Sequence, residues 1–457
     1  MLPDDVLLEI FDHYLVEDPF RENDADVWQL LVHVCRRWRS VVFGSPRRLN
    51  LRLVCTPTTP VRDTLDIWPA LPLLIYGDVS ISGADNIIAA LERSDRVCLI
   101  DLDIGSLQLE YVSMTMQVPF PKLTDLSLTL KDGTASIIPD SFLGGFATRL
   151  RFLYLNTIPF PGLPKLLSSA TYLVDLRLSN IPHSGYISPQ AMVACLSALT
   201  SLKEISLEFQ SPLSHPDWEN RRPPPPARSV LPALTSFWFK GVSEYMEDLV
   251  ARIDTPRLDY LYMAFFNQID FNTPQLIQYI LRTPTFKAPD EACVVFHSHA
   301  AWVKLLRRSV SDGTLRVIIL CREPDWQLSS LAQVCTWSLP PPSTVEILYI
   351  YKHQFFELDW QGDIKKTQWL ELLRPFAAVK KLCISKEYVS HIILALQELV
   401  GDNRTEVLPS LQNVFLEELQ PSGPIRKSIE QFISARQLSS NPVAVSLWDR
   451  DTEKYGR

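Results

Sequence analysis

One pattern returns along most of this chain: apolar-x-x-apolar-x-apolar, usually headed by leucine. It reads Leu71-Leu74-Tyr76, Val97-Ile100-Leu102, Leu123-Leu126-Leu128, Leu150-Leu153-Leu155, Leu173-Leu176-Leu178 and Leu202-Ile205-Leu207. It continues as Leu234-Phe237-Phe239, Leu258-Leu261-Met263, Leu315-Ile318-Leu320, Val345-Leu348-Ile350, Val379-Leu382-Ile384 and Leu411-Val414-Leu416. The steps run from 23 to 34 residues, apart from one of 57 between Leu258 and Leu315. Near the middle of that long step, residues 292–296 could be the strand of a degenerate unit. Period-two apolar spacing predicts strands, because alternate side chains share a face. Helical stretches are expected between them at 86–93, 189–199, 245–253, 274–281, 326–334, 369–376 and 391–400.

A strand plus a helix at this period resembles a leucine-rich repeat, in which no unit can bury its apolar face alone and neighbours must stack. The expected fold is therefore α/β, with a parallel sheet on the concave side and helices outside, over residues 51–440. The usual asparagine after the strand is missing: isoleucine stands at positions 158 and 181. A doubly wound α/β sheet, which also alternates strands and helices, stays open as an alternative.

Composition fits a protein without a phosphate cradle. Fifteen glycines in 457 residues are about half the usual share of roughly 7%, and neither GxGxxG nor GxxxxGK occurs. The 35 prolines exceed a usual share of about 5%. Five stand two residues before a head leucine: Pro69, Pro121, Pro232, Pro256 and Pro409. A proline there stops an incoming helix and needs no ladder partner. Others cluster near 211–229, read as an exposed loop within one repeat. A net charge of −8 argues against nucleic acid as the main partner. The eight cysteines are scattered without CxxC, as expected of reduced thiols. With no signal peptide and no apolar run of about 20 residues, the expected place is the cytoplasm or nucleus, with no membrane partner.

Residues 1–50 differ from the rest. Residues 1–30 carry nine carboxylates and one arginine, whereas 31–62 carry seven arginines and no carboxylate. Two amphipathic helices are expected, one through Val6, Leu7, Ile10, Phe11, Tyr14 and Leu15, the second through Val27, Leu30, Leu31, Val34, Cys35, Trp38, Val41 and Val42. Such short helices need a partner surface. The run Leu2-Pro3-Asp4-Asp5-Val6-Leu7-Leu8-Glu9-Ile10-Phe11, followed by Val34-Cys35-Arg36-Arg37-Trp38-Arg39, resembles an F-box. An acidic segment, 17–26, lengthens the loop between its halves. The resemblance implies docking on the Skp adaptor of a cullin-RING ubiquitin ligase through Leu2, Pro3, Val6, Leu7, Ile10, Phe11, Val34, Cys35 and Trp38. The layout is similar to fungal F-box/leucine-rich-repeat families. It implies a substrate receptor, with 51–440 selecting an unidentified protein and 441–457 as a tail. The alternatives are a helical cap on a non-ligase scaffold and a patch of arginines for nucleic acid.

Residues between the apolar strand positions face the concave side. Aromatics recur among them at Tyr154, Trp238, Tyr260, Tyr262, Tyr349 and Tyr351, the candidates for binding a protein substrate. Cys293, His297 and His299 form a Cys/His cluster, but a metal site needs three or four ligands with support, so structural histidines are expected and no metal. No HExxH, GxSxG or cofactor motif occurs, so the chain is expected to hold no cofactor and no catalytic residue.

Overall fold

A computed structural model describes residues 2–14, 27–80, 83–132, 137–212, 227–266, 273–307, 313–338, 342–353, 365–397, 407–417, 424–438 and 442–448. The acidic segment 17–26, most of the proline-rich stretch (213–226), the end of the helix expected at 391–400 and the last residues of the expected tail lie outside them. The chain forms two compact units, Met1–Leu202 and Lys203–Arg457.

The first unit opens with α1 (Asp4–Tyr14), α2 (Val27–Val34) and α3 (Arg36–Gly44). Six strands follow: β1 (Leu53–Cys55), β2 (Leu73–Asp78), β3 (Val97–Ile104), β4 (Asp125–Leu130), β5 (Phe152–Asn156) and β6 (Asp175–Ile181). Between them or after them come α4 (Val61–Ile67), α5 (Ala84–Leu91), α6 (Ser106–Thr115), α7 (Leu163–Ser169) and α8 (Pro189–Leu196). Each strand pairs in parallel with the next. Leu126, Leu153 and Leu176 meet in register and are fully buried. A buried leucine of this kind contributes roughly 1.5–3 kcal/mol through removal from water.

The second unit contains β7 (Glu204–Phe209), β8 (Ser229–Val230), β9 (Ser236–Gly241), α9 (Ser243–Val250), β10 (Ile253–Asp254), β11 (Tyr260–Phe266) and α10 (Pro274–Arg282). Then come β12 (Glu291–His297), β13 (Ala300–Leu306), β14 (Thr314–Leu320), α11 (Pro324–Gln333), β15 (Ile347–Lys352) and α12 (Lys366–Leu373). It closes with β16 (Lys381–Ile384), α13 (Lys386–Gln397), β17 (Asn413–Leu416), α14 (Pro424–Leu438) and β18 (Ala444–Leu447). The strand order is β7-β9-β11-β14-β13-β12-β15-β16-β17-β18, with β8 and β10 forming a small ladder of their own. All pairs are parallel except those of β13 with β12 and β14. Both units are thus α/β with mainly parallel strands, the solenoid-like layout the repeat implies.

The strands fall on the repeat because the head residue closes a turn. The amides of Leu123, Leu150, Leu173, Leu202, Leu234, Leu258, Val345, Val379 and Leu411 each donate to the carbonyl three residues earlier. All nine side chains are buried. Four prolines, Pro121, Pro232, Pro256 and Pro409, occupy the second position of these turns, where a fixed φ is already correct. Pro69 differs, since the Leu71 amide donates to Pro69 itself. Ile158 and Ile181 are buried at the positions expected to lack asparagine. A two-residue asparagine contact does form nearby, with the Asn180 amide donating to Asn156 Oδ1 at 2.9 Å.

Two expectations need correction. The strand at 292–296 is not a degenerate repeat: β12, β13 and β14 form a meander in which β14 returns to pair with β11 and β12 pairs with β15. The second helix expected near the N-terminus is two helices. Cys35 is extended (φ −160°, ψ 168°) and its Sγ accepts from the Trp38 amide at 3.5 Å, capping α3.

Neighbouring helices are coupled by buried carboxylate chemistry as well as apolar packing. Glu247 of α9 accepts from the amides of Gln275 and Leu276, at 3.1 and 2.7 Å, at the start of α10. These amides have no partner within their own helix, so a carboxylate there satisfies both hydrogen bonding and the helix dipole.

Candidate functional sites

The residues proposed for the adaptor separate into two faces of α1. Leu7, Leu8 and Phe11 are buried, and the Phe11 ring meets Trp38 edge-on at 4.8 Å. Leu2, Val6, Ile10 and Tyr14, spaced four apart, are exposed, Ile10 at 45%. Spacing of four keeps side chains on one helix face. On α2, Leu30 and Val34 are a second exposed i, i+4 pair. Pro3 is exposed and its carbonyl accepts from Leu7 at the helix start. Cys35 is exposed, and Trp38 is half-buried against Phe11. Leu7 and Phe11 therefore build the hairpin, and Leu2, Val6, Ile10 and Val34 offer its open apolar surface.

Charge fixes α1 in place. Arg37 donates to Asp4 Oδ1 at 2.6 Å through Nη2 and to the Leu2 carbonyl, and Arg48 pairs with Glu9 and, at 3.2 Å, with Asp12. The arginine block answers the acidic block across the hairpin. On the inner side, Trp28 is buried and donates from Nε1 to the Arg52 carbonyl at 2.8 Å, with Phe43 and Trp68 packed edge-on around it.

The aromatic candidates also divide. Tyr154 lies half-buried on β5, in register with Ser127 and Arg177. In the second unit, Trp238 of β9 stacks on Tyr260 (5.1 Å) and Tyr262 (4.4 Å) of β11 and remains 38% exposed. The Arg316 guanidinium of β14 lies over Tyr262 at 5.5 Å and over Trp302 of β13 at 4.5 Å. Burial holds the Tyr260 and Tyr262 phenols above their ordinary pKa, and the Arg316 charge partly offsets this. Both stay neutral donors at neutral pH.

Tyr349 and Tyr351 have a different setting. Tyr349 is only 4% exposed, in a cluster with Cys293, Val295, Ile347, Cys383 and Trp448, and Tyr351 packs against that cluster. The Trp448 ring stands 5.9 Å from Tyr349. Tyr349 has no open surface to offer a partner. Trp302 and Arg316 were not among the sequence candidates. The alternation at Trp302 and Lys304 was a usable signal, but no head leucine precedes β13.

Cys293 is separated in role from the histidines, since it sits in the apolar cluster. The His297 ring is 6.0 Å from His299 and 5.6 Å from His353. Its pKa is lowered by burial first, then by the neighbouring histidines. Among the described residues no group of three or more His, Cys, Asp or Glu is arranged to hold a metal ion. All eight cysteines are free; burial pushes the Cys195 thiol up to about 11 and Cys335 up to about 12, far from nucleophilic character at neutral pH. No helix among the described residues is long and apolar enough to cross a membrane.

No protein-family model matches the chain, and no curated protein matches it. Among solved structures it is similar to the leucine-rich repeat-containing protein LegL7 from Legionella pneumophila, with 13% identity and a TM-score of 0.29, over 84% of this chain and 97% of that one. It is also similar to the Rad7 and Elc1 complex in yeast, with 12% identity and a TM-score of 0.28, over 99% of this chain and 94% of that one.

Proposed function

We propose that this chain is a non-catalytic receptor that joins an adaptor to a protein substrate. In this reading the N-terminal helices dock on a Skp-type adaptor of a cullin-RING ubiquitin ligase, and the strand face of the second unit captures the substrate. The observation that carries it is the stripe Leu2, Val6, Ile10 and Tyr14, with Leu30 and Val34 on α2. These large apolar side chains stay in water while Leu7, Leu8 and Phe11 beside them fill a core. Exposed apolar area of this kind marks an interaction site. The F-box-like motif supports the identity of the adaptor. The chain's own contribution would be to hold a substrate lysine near the ligase, an effect of proximity and orientation.

Anchoring through Trp28 and Arg52 also favours a capping role for these helices. The two readings differ in one respect: whether the outward face is used. The test is co-purification with a Skp adaptor. Ile10→Asp and Val34→Asp should abolish capture while leaving thermal unfolding unchanged, because both side chains are exposed. Failure of the wild-type chain to bind, or full binding by both variants, would leave only the scaffold. Phe11 and Leu7 are unsuitable for this test, since charges there would unfold the hairpin. For the strand face, Trp238→Ala with Tyr262→Ala should abolish capture of the substrate and leave adaptor binding intact.

A further inference from the structure

The geometry points to an acidic linear segment as the class of substrate taken by the second unit; the inference rests on the receptor reading above. Pairing registers place Trp238, Tyr262, Arg316 and Lys304 in one row across β9, β11, β14 and β13. Directly opposed residues in such a row project to the same face. Two cations, Arg316 and Lys304, are therefore cross-strand neighbours, an arrangement that is unfavourable by itself. No carboxylate among the described residues forms an ion pair with either one. Glu208, on β7, accepts from Ser206 at 3.1 Å and stands in register with Lys240 instead.

The rings make the cation pair more effective. Tyr262 and Trp302 hold the Arg316 guanidinium by its faces, and its Nε is buried without a hydrogen-bond partner. Stacking a planar guanidinium fixes its direction; part of its edge meets the Tyr260 side chain, and the partly exposed remainder is left for an anion. A carboxylate seated there would relieve the repulsion between Arg316 and Lys304 in partly desolvated surroundings. Beside it, the half-exposed Trp238 indole, stacked on two tyrosines, offers a rigid apolar platform of the kind that anchors interfaces. The occupant is an extended segment with glutamate or aspartate next to a large apolar side chain. The whole chain carries −8, so general attraction would not bring an acidic peptide to it.

The test is fluorescence anisotropy of the full chain with a labelled peptide GSEEFEELSG and its neutral counterpart GSQQFQQLSG. The glutamate peptide should bind at least about tenfold tighter, and added salt should weaken it more than the neutral one. Arg316→Gln should remove most of that preference, and Trp238→Ala should weaken both peptides together. Lys304→Glu should abolish the preference by pairing with Arg316, which keeps the inference open to failure even where Arg316→Gln does not fold. Equal binding of the two peptides, with both sensitive to Trp238→Ala, sinks the acidic class and leaves the receptor reading standing. Absence of any binding also sinks it, and adaptor co-purification then decides the receptor reading separately.

Discussion

Trp238 and Tyr349 stand in one cross-strand row of the second unit, at equivalent outward positions on β9 and β15. One is 38% exposed and the other 4%. Neither strand pattern nor residue type separates them. What separates them is Trp448, just after β18, whose indole packs on the β15 side and has no counterpart over β9 among the described residues. An aromatic at an outward strand position stays open to solvent or joins the core according to what a distant part of the chain lays over it.

The largest effect should come from removing the cover. Trp448→Ala takes away a buried ring, and substitutions of this type cost about 3–5 kcal/mol; urea unfolding should show it. Trp238→Ala, by contrast, should cost only about 1 kcal/mol, the worth of an aromatic stack at the surface. Equal losses would erase the distinction between the two halves. The N-terminal hairpin offers the same contrast at neighbouring positions. Phe11→Ala should cost about 3 kcal/mol, and Ile10→Ala no more than about 0.5 kcal/mol.

A gentler probe is alkaline pH. Burial raises the pKa of Tyr279 and Tyr388, and more moderately that of Tyr260 and Tyr262. The folded chain thus holds these protons after the unfolded chain has lost them. The stabilisation is complete below the ordinary tyrosine pKa of about 10 and is lost as pH climbs toward the folded-state values. Tyrosinate absorbance should appear for Tyr260 and Tyr262 before unfolding, and for Tyr279 and Tyr388 only with it. A modest effect is expected at the asparagine contact. Asn156→Ala removes the acceptor of both Asn180 and Thr157 and should lose roughly 0.5–1.5 kcal/mol.

Nine of the twelve repeated strands were legible because each carries its own turn. A head leucine, and in four cases a proline inside the turn, fix both the start and the inward face of the strand. β13 was not legible. Ser298 and His299 alone separate β12 from β13, and His-Ser-His-Ala lacks the Asn-Gly type of signal that marks a tight hairpin. β18 is four residues long and lay in the presumed tail. On α1 the motif merged two roles, since Leu7 and Ile10 are equally apolar and only packing within the hairpin tells them apart. Arg316 and Trp302 were missed because they meet only through the reversed strand.

The meander has a consequence for synthesis. In a repeat protein each new unit can settle on the previous one as it leaves the ribosome. Here Tyr260 of β11 pairs with Thr314, 54 residues later. Until that stretch is made, β11 keeps an unpaired edge, the template on which wrong pairings form. β12 waits as well, for β13 and then for β15. Assembly of the second unit should therefore halt at β11 and resume only when the hairpin turns back, which makes this region the step at which a nascent chain most needs protection.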